Sequence, residues 1–418
     1  MKKEYSISEI YGSDKYSILT QKTRYENLKT KFSEVFGYIP YEFFSSPGRT
    51  EISGNHTDHN RGKVIAASIN LDSIAAAAKH NEHIKIFSDG YDSPFEVDLN
   101  KLEISKSESG TTTALVRGIA AGLKQNGYKI GGFEAYISSD VLPGSGLSSS
   151  ASIEVLIASI LNHFYNDAEI PAEEIAKISQ FSENKYFMKP CGLMDQTACA
   201  VGGIIGIDFK DTESPIVEKI NFEFSRENYS LIIVHTGGSH FNLTEEYTSI
   251  PEEMISVAAH FGRNVCREVN FQTYLENITE LRKNVTDRAI LRAFHFFKEN
   301  ERVEKQIEAL KNSDFPLFLR YVKESGNSSF KWLQNIYSSS NVACQNITLA
   351  LAMTEEFIEI NGAGACRIHG GGFEGTIQVF IPKINVKDYQ KFITGLFSDF
   401  KIYELSIRAI GAVKVTGI

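Results

Sequence analysis

The chain has 418 residues, of which 42% are hydrophobic, 23% charged and 11% aromatic, with a formal charge of −9. This composition belongs to a globular protein with more than one core and excludes a disordered or fibrous chain. The negative balance argues against nucleic acid or an anionic membrane as the main partner, while a phosphorylated ligand held by local groups stays open.

The opening MKKEYSISEIYG is charged and polar where a signal peptide would be apolar. No window approaches the roughly 20 apolar residues of a membrane span. Five cysteines (Cys191, Cys199, Cys266, Cys344, Cys366) are scattered in no zinc or disulfide pattern. Reduced thiols and a cytoplasmic location are therefore expected.

In chain order, residues 1 to about 44 read as a helical lead-in. Apolar, β-branched runs at Lys63 to Ile74, Ile84 to Phe87 and Phe133 to Ile137 read as strands. Ser152 to Tyr165 and Ala172 to Tyr186 carry apolar residues at helical spacing. Ile204 to Phe209 and Tyr229 to Val234 return to strand character, and Ile250 to Phe357 is mostly helical, punctuated by Pro251 and Pro316. Strands are expected again at Gly375 to Ile381 and Ala412 to Ile418. This irregular mixture predicts an α+β protein of two domains, 1–225 and 226–418.

Three stretches carry chemistry. Leu142-Pro143-Gly144-Ser145-Gly146-Leu147-Ser148-Ser149-Ser150-Ala151-Ser152 lies between a predicted strand and a predicted helix. Glycines let the backbone approach an anion, and the N–H groups and dipole of the first helical turn attract it. It lacks the Gly-Lys-Ser/Thr end of a Walker loop. The segment Gly48 to Gly62 is dense in carboxylate, imidazole and amide groups that could bond a polyol. Within it, Asp58 could accept from two neighbouring hydroxyls, and Arg49 could stabilise a carboxylate or phosphate. A metal set of His56, Asp58 and His59 fits no common zinc spacing. The third stretch is Cys191-Gly192-Leu193-Met194-Asp195-Gln196, preceded by Glu183.

Together, in this order, the stretches resemble the galactokinase branch of the GHMP kinases. The branch signature Gly-Arg-x-Asn-x-x-Gly-Glu-His-Thr-Asp-Tyr-Asn-x-Gly is similar to Gly48 to Gly62. Gly-Leu-Ser-Ser-Ser-Ala-Ser stands intact at Gly146 to Ser152, and Cys-Gly-x-Met-Asp-Gln at Cys191 to Gln196. His369 to Gly375 resembles the C-terminal glycine motif, and Arg292, His295, Glu299 and Arg302 are smaller echoes.

The resemblance implies a two-domain GHMP kinase fold with ATP and sugar between the domains. It implies a kinase acting on the anomeric 1-hydroxyl of galactose, with Asp195 as base or orienting group and Arg49 as its partner. Gly144, Gly146, Leu147, Ser148, Ser149, Ser150 and Ala151 would cradle the ATP phosphates, with Ser150 and Glu183 as Mg2+ ligands. Asn55, His56, Asp58, Gly192 and Tyr247 fall where family members contact the sugar. A monomer with no nucleic-acid or membrane partner is expected.

Several departures bear on the sugar. Asn55 stands where the signature has Glu, His59 where it has Tyr, and Glu51 where it has Asn. An amide at 55 would tolerate a C6 carboxylate that Glu would repel, so galacturonate joins galactose and N-acetylgalactosamine as a substrate expectation. Thr236 to His240, with Ser239, and Glu374 also differ from the family pattern. A sugar sensor with little catalysis is the alternative from another class. The intact Ser149-Ser150-Ala151, with Arg49, Glu183 and Asp195 present, favours catalysis.

Overall fold

The computed structural model describes residues 4–40, 42–141, 146–237, 243–373 and 375–418. The chain forms two compact units, the first from Met1–Arg49, Ala67–Gly203 and Ile407–Ile418, the second from Thr50–Ala66 and Ile204–Ser406. The single division expected near residue 225 falls inside the second unit. Two of the changes of unit, at Arg49/Thr50 and Ala66/Ala67, lie within single strands rather than in loops between elements.

In chain order the strands are β1 (Glu4–Ser6), β2 (Glu42–Ser53), β3 (Lys63–His80), β4 (His83–Ser88), β5 (Phe95–Asp98), β6 (Gly132–Ser139), β7 (Ile204–Asp208), β8 (Ile216–Ile220), β9 (Tyr229–His235), β10 (Ala365–His369), β11 (Thr376–Pro382), β12 (Lys401–Leu405) and β13 (Val413–Thr416). The predicted strands are all present with shifted ends. The largest extension is at β3, where the Ala75–Ala78 run continues the strand rather than ending it. The lead-in holds a strand as well as the long helix Lys15–Phe36.

In the first unit the sheet order is β1-β13-β2-β3-β6-β4-β5. Ile74, Ala76 and Ala78 of β3 pack on Tyr25, Leu28 and Phe32 of helix Lys15–Phe36. Ala75 and Ala77 are equally buried on the opposite face, so this strand is apolar throughout instead of alternating. The helix is started by Asp14, whose Oδ2 accepts from the Ser17 N–H at 2.8 Å, and ended by Gly37 in the left-handed region. Asp72, fully buried on β3, draws the C-terminal segment in, accepting from Arg408 Nη1 (3.0 Å), Arg24 Nη1 (2.9 Å) and Ser45 Oγ (2.5 Å).

The second unit has an antiparallel sheet of order β10-β11-β9-β12. Ile232, Val234, Ile377 and Val379 meet Phe357 and Tyr389 of helices Asn346–Asn361 and Val386–Leu396. A separate helical core forms where Met254 and Val257 meet Ala293 and Phe296. None of the helices among the described residues is long and apolar enough to cross a membrane.

Glu299, on helix Asp287–Lys311, holds residues 50–66 into this unit. Its carboxylate accepts from Ser53 Oγ (3.2 Å), the Gly54 N–H (3.3 Å) and Ser325 Oγ (2.5 Å), and pairs with Arg302. Burial opposes its charge, but Arg302, His295 and Arg367 outweigh burial and bring its pKa to about 2, from an ordinary 4.5. A depressed folded-state pKa stabilises the fold above the unfolded value and loses that stability as pH falls. Thermal unfolding should therefore show a loss of stability between pH 4.5 and about 2. Glu299→Gln, less stable at neutral pH, should show a shallower loss across that window. Equal slopes would mean that another carboxyl titrates there.

Candidate active site

In the first unit, the site grows from the point where β2 meets the Gly/Ser loop. Gly48 is required there: a Cβ would lie 2.9 Å from the Leu147 carbonyl oxygen. The next residue, Arg49, donates its backbone N–H to that oxygen at 3.0 Å. Its guanidinium donates Nε and Nη2 to the two oxygens of Asp195, each at 2.6 Å, and Nη1 to the Gly146 carbonyl at 2.5 Å. Asp195 lies in the first turn of helix Met194–Val201, where the helix dipole favours an anion. Its Oδ2 also accepts from Ser148 Oγ at 2.5 Å. Burial would raise its pKa, but Arg49 and Ser148 outweigh burial and hold the carboxyl below its usual range.

Ser148 precedes helix Ser149–Tyr165 with φ 60°, a left-handed conformation that costs a non-glycine residue energy and persists where surroundings dictate it. Leu147 and Ala151 are buried beneath the turn, leaving Ser149 and Ser150 on its first turn. Gly144 lies outside the described residues, as do Ser239 and Glu374.

Ser150 Oγ is 3.2 Å from Glu183 Oε1. Glu183 begins a π-helical turn, Glu183–Phe187, that ends at Met188 with φ 67°. The chain then wraps back, so Lys189 donates its N–H to the Glu183 carbonyl (3.1 Å) and its Nζ to Glu183 Oε1 (3.0 Å). Gln196 Nε2 bridges Glu183 Oε2 (2.8 Å) and Glu154 Oε2 (3.1 Å). Burial, then the neighbouring Glu183, pushes the Glu154 carboxyl well up. Glu154 Oε1 and Gln196 Oε1 are buried with no hydrogen-bond partner. A hydroxyl and a carboxylate this close, beside orphaned oxygens, fit a hard divalent cation such as Mg2+. Gly192 is placed by its neighbour: the Cys191 N–H donates to Asn184 Oδ1 (2.7 Å) and its carbonyl accepts from Gln180 Nε2 (3.1 Å).

In the second unit, Asn55, His56 and Tyr247 converge on the Gly370–Phe373 turn. His56 Nε2 meets the Gly371 carbonyl at 2.9 Å, and Tyr247 donates its hydroxyl to the Gly372 carbonyl at 3.0 Å. A Cβ on Gly371 would lie 2.4 Å from Tyr247 Cε1. Burial pushes the His56 pKa down to about 4, so its imidazole is neutral at physiological pH. Asp58, in the short turn Asp58–Asn60, lies 3.8 Å from His59 Nε2.

Asn55 is 1% exposed, and both ends of its amide are engaged within the unit. Nδ2 donates to Glu51 Oε1 (3.1 Å) and the Gly370 carbonyl (2.6 Å), while Oδ1 accepts from Asn335 Nδ2 (2.8 Å). Glu51 Oε1 also accepts from Arg367 Nη2 at 3.0 Å. Sequence reasoning missed Lys189, Glu154, Asn335 and Arg367. The motifs gave no spacing that would bring Asn335 or Arg367 to residue 55.

Two family profiles match this chain: "GHMP kinases N terminal domain" over residues 114–203 and "Galactokinase galactose-binding signature" over residues 30–79. A galactokinase of Actinobacillus pleuropneumoniae serotype 5b is 30% identical over 87% of this chain and 91% of its own length. One from Clostridium tetani is 26% identical over 89% and 92%. Among solved structures, Lactococcus lactis galactokinase complexed with galactose superposes with a TM-score of 0.79 at 24% identity, covering 93% of this chain and 99% of that one. Methanococcus jannaschii mevalonate kinase superposes with a TM-score of 0.60 at 18% identity, covering 87% and 98%. These set the α+β fold as that of the GHMP kinases. The chain belongs to the galactokinase family, and it is a sugar kinase that uses ATP.

Against the family signature, an acid and an amide have changed places: the carboxylate stands at Glu51 and the amide at Asn55. The two remain hydrogen-bonded, and the carboxylate now faces Arg367.

Arg49→Lys would replace a fork that grips both oxygens of Asp195 by a point charge that reaches one at a time. The Asp195 carboxyl, followed by NMR of labelled aspartate, should then titrate at higher pH than in the wild type. An unmoved titration would remove Arg49 as the group that keeps Asp195 ionised.

Proposed function

We propose that the chain transfers the terminal phosphoryl group of ATP to the anomeric 1-hydroxyl of galactose, giving galactose 1-phosphate. The observation that carries this reading is Asp195, held ionised by the Arg49 fork and the Ser148 hydroxyl. A carboxylate so placed takes the proton of the attacking hydroxyl, or aligns that hydroxyl for attack. Arg49 then faces the transferring phosphoryl, whose reaction asks mainly for positioning and charge neutralisation.

Backbone N–H groups from Gly146 to Ala151, at the N-terminus of a long helix, suit the ATP phosphates. Ser150 and Glu183 would hold Mg2+, which when bound neutralises phosphate charge. Lys189 now pairs with the Glu183 oxygen nearest Ser150. On the sugar side, Asp58 keeps acceptor capacity for two hydroxyls, and Gly192 lets backbone come close. His56 and Tyr247 are steadied by the glycine turn. Asn55 contributes a neutral amide where the family signature has a carboxylate. The amide at 55 is the ground for a second reading, in which a sugar with a C6 carboxylate is also accepted, with Glu51 keeping a carboxylate 3.1 Å from that amide.

Asp195→Asn should fold and bind ATP yet lose about 10²–10⁴ of turnover, because an amide cannot take the proton. Retention of more than about a tenth of wild-type turnover would remove the base role. For the substrate, ADP release with MgATP should be fastest with galactose among galactose, N-acetylgalactosamine and galacturonate. Preference for galacturonate would assign the C6-carboxylate reading. ATP binding without turnover on any of the three would leave the sensor.

A further inference from the structure

Three strands of the first unit bring two imidazoles and a carboxylate together, away from every motif described above. His80 ends β3, His83 begins β4, and Glu134 lies on β6. Strand β6 pairs with both neighbours, with Glu134 opposite Ala78 of β3 and opposite Lys85 of β4. The two-residue link Asn81-Glu82 folds the histidines together, with ring centroids 4.2 Å apart. One ligand-capable atom from each of the three residues lies within 4.8 Å of the other two.

The hydrogen bonding around the cluster leaves these atoms available. His83 Nε2 is buried and makes no hydrogen bond. It stands 3.8 Å from Glu134 Oε1, beyond hydrogen-bond range. The other carboxylate oxygen, Oε2, accepts the Tyr38 hydroxyl at 2.5 Å, which fixes the carboxylate. At His80, the Nδ1 atom has only a long 3.3 Å contact from the Glu82 N–H. His83 also lines an open groove with Glu82, Glu96, Asp98 and Glu103, in which carboxylates outnumber the cations Lys101 and Arg117.

We propose that His80, His83 and Glu134 form a binding site for a divalent transition-metal ion of the Zn2+ class. Two imidazole nitrogens and one carboxylate oxygen suit Zn2+, Ni2+ or Cu2+, whereas Mg2+ and Ca2+ prefer oxygen alone. Three protein ligands leave a fourth position for water. Small rotations of partly exposed side chains close the remaining distance to the ion, and the Tyr38 bond orients the carboxylate from outside. The bound ion clamps the β3–β4 turn to β6. The acidic groove gives it an approach from solvent.

The test is a Zn2+ titration of the full chain, stripped with a chelator and free of any affinity tag. A chromophoric chelator serves as competitor, and Mg2+ is present in excess. The wild type should take up one equivalent and unfold at a higher temperature with Zn2+ than without. His83→Ala and Glu134→Gln should each weaken uptake at least about tenfold and abolish the thermal shift, and Tyr38→Phe should weaken it by a smaller factor. Thermal unfolding of each variant without metal separates lost ligands from lost folding. Glu183→Gln should bind Zn2+ as the wild type does. No stoichiometric uptake by the wild type, equal uptake by the His83 and Glu134 variants, or loss of uptake in Glu183→Gln would overturn the proposal.

Discussion

Two charge-assisted hydrogen bonds of 2.6 Å, from the Arg49 fork to the two oxygens of Asp195, set the geometry on which the first unit's site depends. The pair is partly exposed, so desolvation and screening leave it little net stability. What it supplies is position. A planar fork meeting a planar carboxylate fixes two side chains at once. The third donor of the fork and the arginine's own backbone then tie Gly146 and Leu147 to strand β2. The strained Ser148 conformation follows, because its hydroxyl must reach Asp195 while its backbone starts a helix.

The second unit places its polar groups by a different means. Neutral donors there, from Asn55 and Tyr247, are spent on main-chain carbonyls of a glycine turn. Tyr247 and Asn335 pack so closely on that turn that only glycine fits at 371 and 372. A Cβ on Gly372 would lie 2.2 Å from the Asn335 carbonyl oxygen. Charge is kept deeper, at Glu299 with Arg302 and at Glu51 with Arg367, where each carboxylate has a cation beside it. Buried ions in such pairs are tolerated because removing one partner strands the other.

Much of this was legible in the sequence, because short motifs hold neighbours in space that are also neighbours in the chain. Gly146 to Ser152 announces a loop and a helix start, and Met194-Asp195 announces a helical first turn. What the sequence hides are meetings between distant residues: Asn335 with Asn55, Arg367 with Glu51, Lys189 curled back on Glu183. The last depends on a π-turn and a left-handed methionine, neither of which has a compositional signature. The unit boundaries were hidden for a related reason. Strand β3 runs apolar on both sides of residue 66, and the Ser-Ser-Pro-Gly run before residue 50 sits inside β2 instead of forming a loop. Ala75–Ala78 read as an ending since alanine is a weak strand former, yet burial on both faces makes small side chains the ones that fit.

The exchange of acid and amide between positions 51 and 55 also constrains how one signature can become the other. Arg367 is fully buried. In these surroundings an intermediate with amides at both positions takes away the carboxylate that accepts directly from Arg367, and breaking a buried pair costs on the order of 3–5 kcal/mol. That is a large part of the typical ~5–15 kcal/mol that holds a domain folded. An intermediate with acids at both positions keeps the arginine paired, and the crowded carboxyls relieve their repulsion by sharing one proton. Of the two single-step intermediates, the doubly acidic one keeps the buried arginine paired and is the one this packing tolerates.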